Sequence, residues 1–263
     1  MAGSRIDHGR QYIKPVSEPP ATHTIPPSVQ GRWRRWLGLC PSLCALCHGA
    51  CRAGVCGDCV RRHVEVGPRC LGCALRVPKG VRRCGACLRQ EGALDLSVAG
   101  VDYGFPWDRL LQQFKFGGRP ELAELLLDRL DSALDAARPP APDWLLPVPL
   151  ALPRLRERGY NQSWELARRL ARRRRLRCDG RLLLRTRDTP HQIALPAEQR
   201  GANMRGAFAV EPLRLAELRG RSVALVDDVM TTGATLRELA RVLKAAGVVH
   251  VQAWIIARTP LQP

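Results

Sequence analysis

Lysine is nearly missing from this 263-residue chain. Lys14, Lys79, Lys115 and Lys244 are all it has, so the formal net charge of +18 rests almost entirely on arginine. Long apolar runs are missing as well: no stretch of 18 or more apolar residues occurs, which speaks against a membrane-spanning helix. Residues 1–30 lack the apolar region of a signal peptide, so a cytoplasmic protein without membrane insertion is expected. The hydrophobic fraction of 45% is too high for global disorder and sufficient for a buried core. The length accommodates one domain of ordinary size and a small one. A cationic chain favours anionic partners such as nucleic acid, nucleotides or phosphosugars. The same arginine excess, beside abundant Ala, Leu, Gly and Pro, also fits genome composition, and charge alone does not establish nucleic-acid binding.

Eleven cysteines are present, eight of them in four Cys-x-x-Cys pairs: Cys44/Cys47, Cys56/Cys59, Cys70/Cys73 and Cys84/Cys87. Two thiolates on a tight turn point the same way, and two such knuckles complete a tetrahedral zinc shell with Zn–S bonds of roughly 2.3 Å. Eight ligands suit two structural zincs with no open coordination position. Short gaps favour pairing neighbours, first with second and third with fourth; a cross-braced pairing uses the same residues. Redox-active Cys-x-x-Cys is the rival reading, and four repeats weigh against it. Gly57, Gly72 and Gly85, in or beside the turns, are expected to take left-handed conformations. So short a segment has little core of its own and would draw much of its folding energy from metal. Cys40, Cys51 and Cys178 are left over.

The order of elements follows from periodicity. Residues 1–30 read as a disordered extension or the product of a misplaced start codon. Arg32–Leu39 reads as a short helix whose Trp33, Trp36 and Leu37 dock on the following domain. Leu96–Tyr103 is a strand. Trp107–Phe116 is a helix with Leu110, Leu111 and Phe114 on one face, and a second helix carries Leu122 to Leu134. Lys115 and Arg119, beside Gly117-Gly118, are either an anion site or solvated surface. Trp144–Pro149 is a strand. Beyond it, Arg154, Arg156 and Arg158 with Gly159 suit an anion subsite for a pyrophosphate. Ser163 is the expected N-cap of a helix that turns Trp164, Ala167, Leu170 and Ala171 inward. The other face of that helix holds Arg168, Arg169, Arg172, Arg173, Arg174 and Arg175, either a solvated face or a contact to a phosphate backbone. Leu182–Arg185 is a strand, residues 186–206 a mobile lid bearing Gln192, Arg200 and Asn203, and Ala207–Val210 closes a hairpin. Val248–Ala257 is a last buried strand. Domains are expected at 31–90 (zinc-binding) and 91–263 (an α/β domain with a parallel-type sheet).

The most informative stretch is Val223–Thr235. A buried strand, Val223–Val226, runs into Asp227 and Asp228, then into Thr231-Thr232-Gly233-Ala234-Thr235, and then into a helix carrying Leu236, Leu239, Ala240 and Leu243. Free amides of the turn and the first helical turn suit a phosphate, and the threonine hydroxyls can donate to it. The two carboxylates repel a phosphate. They suit ribose hydroxyls or a hydrated Mg²⁺. The pattern is that of a phosphosugar site.

This block resembles the 5-phosphoribosyl-1-pyrophosphate (PRPP) motif of type I phosphoribosyltransferases. Together with the four cysteine pairs, Phe114-Lys115-Phe116-Gly117-Gly118-Arg119, Pro147-Val148-Pro149-Leu150, Arg158-Gly159-Tyr160-Asn161-Gln162, Gln192 and Arg200-x-x-Asn203-x-x-Gly206-x-Phe208, it makes residues 40–260 resemble the ComF family. That resemblance implies a type I phosphoribosyltransferase-like α/β fold, a parallel sheet flanked by helices, behind a double zinc ribbon of the four-cysteine type. It also implies a part in natural transformation and DNA uptake, with Mg²⁺-bound PRPP and single-stranded DNA as candidate ligands. On it, Asp227 and Asp228 hold ribose and Mg²⁺, Thr231 to Thr235 the 5-phosphate, and Arg154, Arg156 and Arg158 the pyrophosphate. One departure bears on chemistry. Enzymes of this fold acting on 6-oxopurines carry an acid where Thr231 stands, and a hydroxyl is a poor proton-transfer group at neutral pH. The lid has no lysine either. Hypoxanthine-type acceptors are therefore disfavoured. Two functions stay open: a PRPP-dependent transferase, and a non-catalytic PRPP-sensing adaptor that holds single-stranded DNA on its basic surface.

Overall fold

The computed structural model describes residues 42–51, 54–89, 92–187 and 204–261. The expected helix at 32–39, Cys40 and the lid residues Gln192, Arg200 and Asn203 lie outside them. In chain order come β1 (Ser42–Leu43), β2 (Ala50–Cys51), α1 (Gly57–His63), α2 (Gly85–Arg89), β3 (Leu96–Asp102), α3 (Trp107–Phe116), α4 (Leu122–Ala137) and β4 (Trp144–Pro147). Then follow α5 (Leu152–Arg158), α6 (Gln162–Arg174), β5 (Arg177–Cys178), β6 (Leu183–Arg185), β7 (Phe208–Val210), a 3₁₀ turn at Pro212–Glu217, β8 (Ser222–Met230), α7 (Ala234–Ala245) and β9 (His250–Arg258).

Five strands form one sheet in the order β3-β9-β8-β4-β5, every neighbouring pair parallel. Parallel strands with helices on both faces are buried on both sides, which is why Val223–Val226 and Val251–Ile256 read as nearly continuous apolar runs. Alternation divides them between two layers. Val223 and Leu225 pack with Val251, Ala253 and Ile255 against Leu236, Leu239 and Leu243 of α7 and the β6–β7 hairpin. Ala224 and Val226 pack with Trp254 and Ile256 against Leu110, Leu111 and Phe114 of α3, Leu126, Leu127 and Leu130 of α4, and Leu166 and Leu170 of α6. Fully burying each such leucine stabilises the fold by about 1.5–3 kcal/mol.

The cysteine-rich segment joins both layers. Cys44, Val55 and Cys59 pack in the α3–α4 layer, where the Trp107 indole N–H donates to the His63 carbonyl at 2.8 Å. Cys70, Cys73 and Leu75 pack in the α7 layer. A hydrogen-bonded line fixes the Cys70/Cys73 knuckle: Ser97 donates its N–H to Leu71 O (2.6 Å) and its hydroxyl to Gly72 O (3.0 Å). Arg258 Nε donates to Cys73 O (2.7 Å) and Arg69 to Ala74 O (3.0 Å). Four consecutive carbonyls are thus held by the sheet or by a side chain tied to it.

Three local expectations are corrected. The N-cap of α6 is Asn161, not Ser163: the Asn161 side chain accepts from the backbone N–H groups of Ser163 and Trp164, while Ser163 turns its hydroxyl to the site. Leu166 is buried in that helix where Trp164 is only half-buried, its ring resting over Gly180. In the knuckles the left-handed residues are His48 and Ala74, each directly after the second cysteine of its pair, and Gly57, Gly72 and Gly85 are not left-handed. Gly72 is required by close approach instead, since a Cβ there would sit 3.0 Å from Cys87 Sγ.

Asp102, at the end of β3, accepts from Arg69 and Arg76 at 2.7 Å each. Burial raises its carboxyl, but the two guanidiniums outweigh burial and hold it below its ordinary 3.8. Its stabilising contribution is therefore complete above that value and is lost as pH falls through the depressed one. Asp102→Asn is expected to lower stability at pH 7 by about 1–2 kcal/mol, allowing for solvent screening of a partly exposed pair. Denaturant melts should show the difference from the unmodified chain vanishing under strong acid; a constant difference across pH would contradict it.

Candidate functional site

The C-terminal ends of β4 and β8 open on a cleft of about 640 Å³. Its lining joins Asp227 and Asp228 to Lys115, Arg154, Arg158, Ser163, Arg185, Thr231 and Thr235. Strand β8 continues past Val226 to Met230, so both aspartates lie within the strand rather than in the turn after it. The Ser163 hydroxyl donates to Asp227 Oδ1 at 2.8 Å, and Lys115 Nζ lies 3.1 Å from Asp228 Oδ1. Burial, and the neighbouring Asp228 charge, push the Asp227 carboxyl up to about 7 despite Ser163 and Lys115. A carboxylate pair costly to ionise in full, with one lysine as countercharge, is a site for a cation or for several hydroxyl donors.

Below the carboxylates, Val229–Leu236 with Asp227 enclose a cup of about 50 Å³. Gly233 caps α7 at φ 78°, a left-handed conformation that favours glycine. The Thr232 hydroxyl accepts from the Ala234 N–H at 3.4 Å, and the first amides of α7 face the cup end of the helix. All five expected phosphate-loop residues, Thr231, Thr232, Gly233, Ala234 and Thr235, line this cup. A helix N-terminus and a hydroxyl-rich turn suit an anion.

The arginines after β4 divide. They lie on a helix, α5, so Arg154 and Arg158, four residues apart, share a face and line the cleft. Arg156 is on another face, exposed and absent from the lining. Burial and the adjacent Arg158 charge lower the Arg154 guanidinium from its ordinary value. Arg158 stacks on Phe116 at 4.6 Å and donates to Gln162, and its buried Nε has no acceptor among the described residues.

The residues after Arg158 act mainly as struts. Tyr160 donates to the Phe114 carbonyl, Asn161 to Val148 O at 3.1 Å, and Gln162 to Lys115 O at 3.5 Å. They tie the end of α3 and the loop after β4 to α6, and so aim Lys115 at Asp228. Sequence spacing pairs Lys115 with Arg119. The structure separates them, since Arg119 turns to Glu121 (2.9 Å) and Gln113 (3.0 Å). Arg185, from β6, is a cleft residue that no motif in the sequence singles out.

The arginine face of α6 is largely neutralised. Arg168 pairs with Glu165; Arg169 with Glu124 and Glu165; Arg173 with Glu124, Asp128 and Asp131; and Arg174 with Asp131 and Asp135. Arg172 and Arg175 are exposed.

Cys44, Cys47, Cys56 and Cys59 form one cluster, and Cys70, Cys73, Cys84 and Cys87 another, each with its ligand atoms within 4.8 Å of one another. Pairing is sequential, not cross-braced. The Cys47–Cys56 and Cys73–Cys84 sulfurs are 3.6 Å apart, close to the edge of about 3.8 Å that a tetrahedron with Zn–S bonds of roughly 2.3 Å requires. Backbone N–H groups of Cys56 and Cys84 point at Cys44 Sγ (3.3 Å) and Cys70 Sγ (3.2 Å). Burial raises both thiols, but such amide bonds outweigh it, bringing Cys44 down to about 6 and Cys70 to about 7. Both clusters fit a zinc ion.

Among the described residues no helix is long and apolar enough to cross a membrane. The phosphoribosyl transferase domain family model matches residues 185–260. The chain is 34% identical over 226 residues to the DNA utilization protein YhgH of Escherichia coli, covering 83% of this chain and 98% of that protein. It is 33% identical over 222 residues to competence protein F of Haemophilus influenzae, covering 82% and 96%. Among solved structures, the glutamine PRPP amidotransferase of B. subtilis in complex with ADP and GMP covers 53% of this chain and 26% of that one, at 21% identity and a TM-score of 0.34, too low to carry an argument. With relatives matched over nearly their whole length, a phosphoribosyltransferase-type parallel sheet and two sequential four-cysteine clusters, the chain belongs to the ComF family.

Proposed function

We propose that the cleft at the end of β8 binds PRPP with Mg²⁺ and that the protein acts in DNA uptake. The observation that carries this is the union, along one strand and its turn, of a carboxylate pair and an anion cup, with Arg154 and Arg158 across the cleft. Ribose hydroxyls and hydrated Mg²⁺ go to Asp227 and Asp228, the 5-phosphate to Thr231–Thr235, and the pyrophosphate to Arg154 and Arg158. Arg156, grouped with them by spacing, is left out because of its place on α5. Lys115 neutralises Asp228 until the cation arrives, then serves the pyrophosphate. Gln192, Arg200 and Asn203 remain lid candidates. The role in DNA uptake is supported by the relatives' names, and the two zinc ions by the cysteine geometry. The reaction class that suits the site is displacement of pyrophosphate from C1 of the sugar by an acceptor other than a 6-oxopurine. DNA held through the arginine face of α6 is not favoured, because Arg168, Arg169, Arg173 and Arg174 are already committed to carboxylates.

Calorimetry is expected to detect PRPP binding that needs Mg²⁺. Asp227→Asn with Asp228→Asn should weaken it by about two orders of magnitude, and unchanged affinity would refute the pocket. Arg154→Ala with Arg158→Ala should weaken PRPP binding but leave ribose 5-phosphate binding alone. Because the Asp227 proton competes with the cation, Mg²⁺–PRPP affinity should rise about tenfold from pH 6 to pH 8, after correction for the ligand's own ionisation. A fall over that range would contradict the assignment. Metal analysis should find two zincs per chain, and a value near zero would refute the ribbon reading. Pyrophosphate release across a panel of acceptors separates a transferase from a sensor.

A further inference from the structure

The second four-cysteine cluster and the phosphate loop face each other across a cleft of about 490 Å³ lined by Cys73, Arg83, Thr231, Thr232 and Arg237. One side chain spans it. Arg258, the last residue of β9, is 4% exposed, and its guanidinium reaches both walls. Nε donates to Cys73 O at 2.7 Å, and Nη1 donates to Met230 O at 3.0 Å and to the Thr231 and Thr259 carbonyls. Met230 is the last residue of β8 and Thr231 the first of the phosphate loop. Met230 O also accepts the Thr259 N–H at 3.0 Å, so both its lone pairs are engaged. The direction in which the chain leaves the strand is set where these donors converge.

We propose that Arg258 is a positioning residue through which the second four-cysteine cluster, and not the first, sets the geometry of the Thr231–Thr235 loop. The knuckle's folded turn fixes the Cys73 carbonyl, the rigid fork of the guanidinium carries that position to Met230 and Thr231, and the loop amides are presented accordingly. The first cluster belongs to the other layer, against α3 and α4, and has no such link among the described residues. A lysine at 258 keeps the charge but has no planar fork to hold both walls. Emptying the second cluster should therefore loosen the loop, and should do so through residue 258. The consequence for ligand affinity rests on the PRPP reading; the consequence for loop order does not.

The test uses the full chain and four variants: Arg258→Lys; Cys84→Ser with Cys87→Ser; Cys56→Ser with Cys59→Ser; and Arg258→Lys combined with the Cys84/Cys87 changes. Zinc content, amide exchange of peptides covering 230–236, and ribose 5-phosphate affinity are measured for each. Arg258→Lys should keep two zincs, exchange faster in 230–236, and bind ribose 5-phosphate about tenfold more weakly or worse. The Cys84/Cys87 variant should lose one zinc with the same loop effect, and the combination should add little to either. The Cys56/Cys59 variant should lose one zinc and leave the loop unchanged. Additive effects, a loop indifferent to Arg258→Lys, or equal loosening by both knuckle pairs would overturn the proposal. If Arg258→Lys fails to fold, the contrast between the two knuckle pairs decides. If the unmodified chain binds neither PRPP nor ribose 5-phosphate, the PRPP reading fails while loop exchange still decides this one.

Discussion

Two carboxylates in succession on a buried central strand are an electrostatic burden, and much of the surrounding structure answers it. Asp227 and Asp228 sit where β8 emerges from between two apolar layers, at the carboxyl edge shared by the parallel strands. Ser163 and Lys115 answer the charge on one side, and cationic Arg154 and Arg158 face it across the cleft. A strand end that holds both acids so close to the core is useful chiefly when a cation or a polyhydroxyl ligand relieves the repulsion.

That arrangement depends on parts remote in sequence. Lys115 reaches Asp228 because Tyr160, Asn161 and Gln162 bind the end of α3 and the loop after β4. The Thr231–Thr235 loop leaves β8 at an angle fixed by Arg258, which also grips the second four-cysteine cluster. The cysteine-rich segment is thus part of the walls of the domain it precedes: its first half fills the α3–α4 layer and its second the α7 layer.

Strands β3, β4, β8 and β9 and helices α3, α4 and α7 were legible in the sequence because buried parallel strands are continuous apolar runs and one-sided helices repeat every three or four residues. The Thr231–Thr235 turn was legible as a strand-to-helix junction because its residues are local. Pairings between distant segments were not. Nothing in the spacing of Arg154, Arg156 and Arg158 separates them until α5 is known to be helical, which turns Arg156 away. Asn161 and Ser163 both make good caps, and the need of Asp227 for a donor decides between them. The arginine face of α6 looked like free charge when read alone. Its partners Glu124, Asp128, Asp131 and Asp135 recur at three- and four-residue steps along α4, an acidic stripe that could have been matched to it. Left-handed turns fell on His48 and Ala74, after the first Cys-x-x-Cys pair of each cluster, while Val60 and Leu88, after the second pairs, are helical.

The central claim is that the end of β8 is a PRPP site, and a crystal structure of the full chain grown with PRPP, Mg²⁺ and Zn²⁺ tests it most directly. The account predicts the 5-phosphate in the Thr231–Thr235 cup, the ribose and its cation on Asp227 and Asp228, and the pyrophosphate against Arg154 and Arg158 with Lys115 turned from Asp228. A ligand seated elsewhere, or an empty cleft at saturating PRPP with Lys115 still on Asp228, would contradict it.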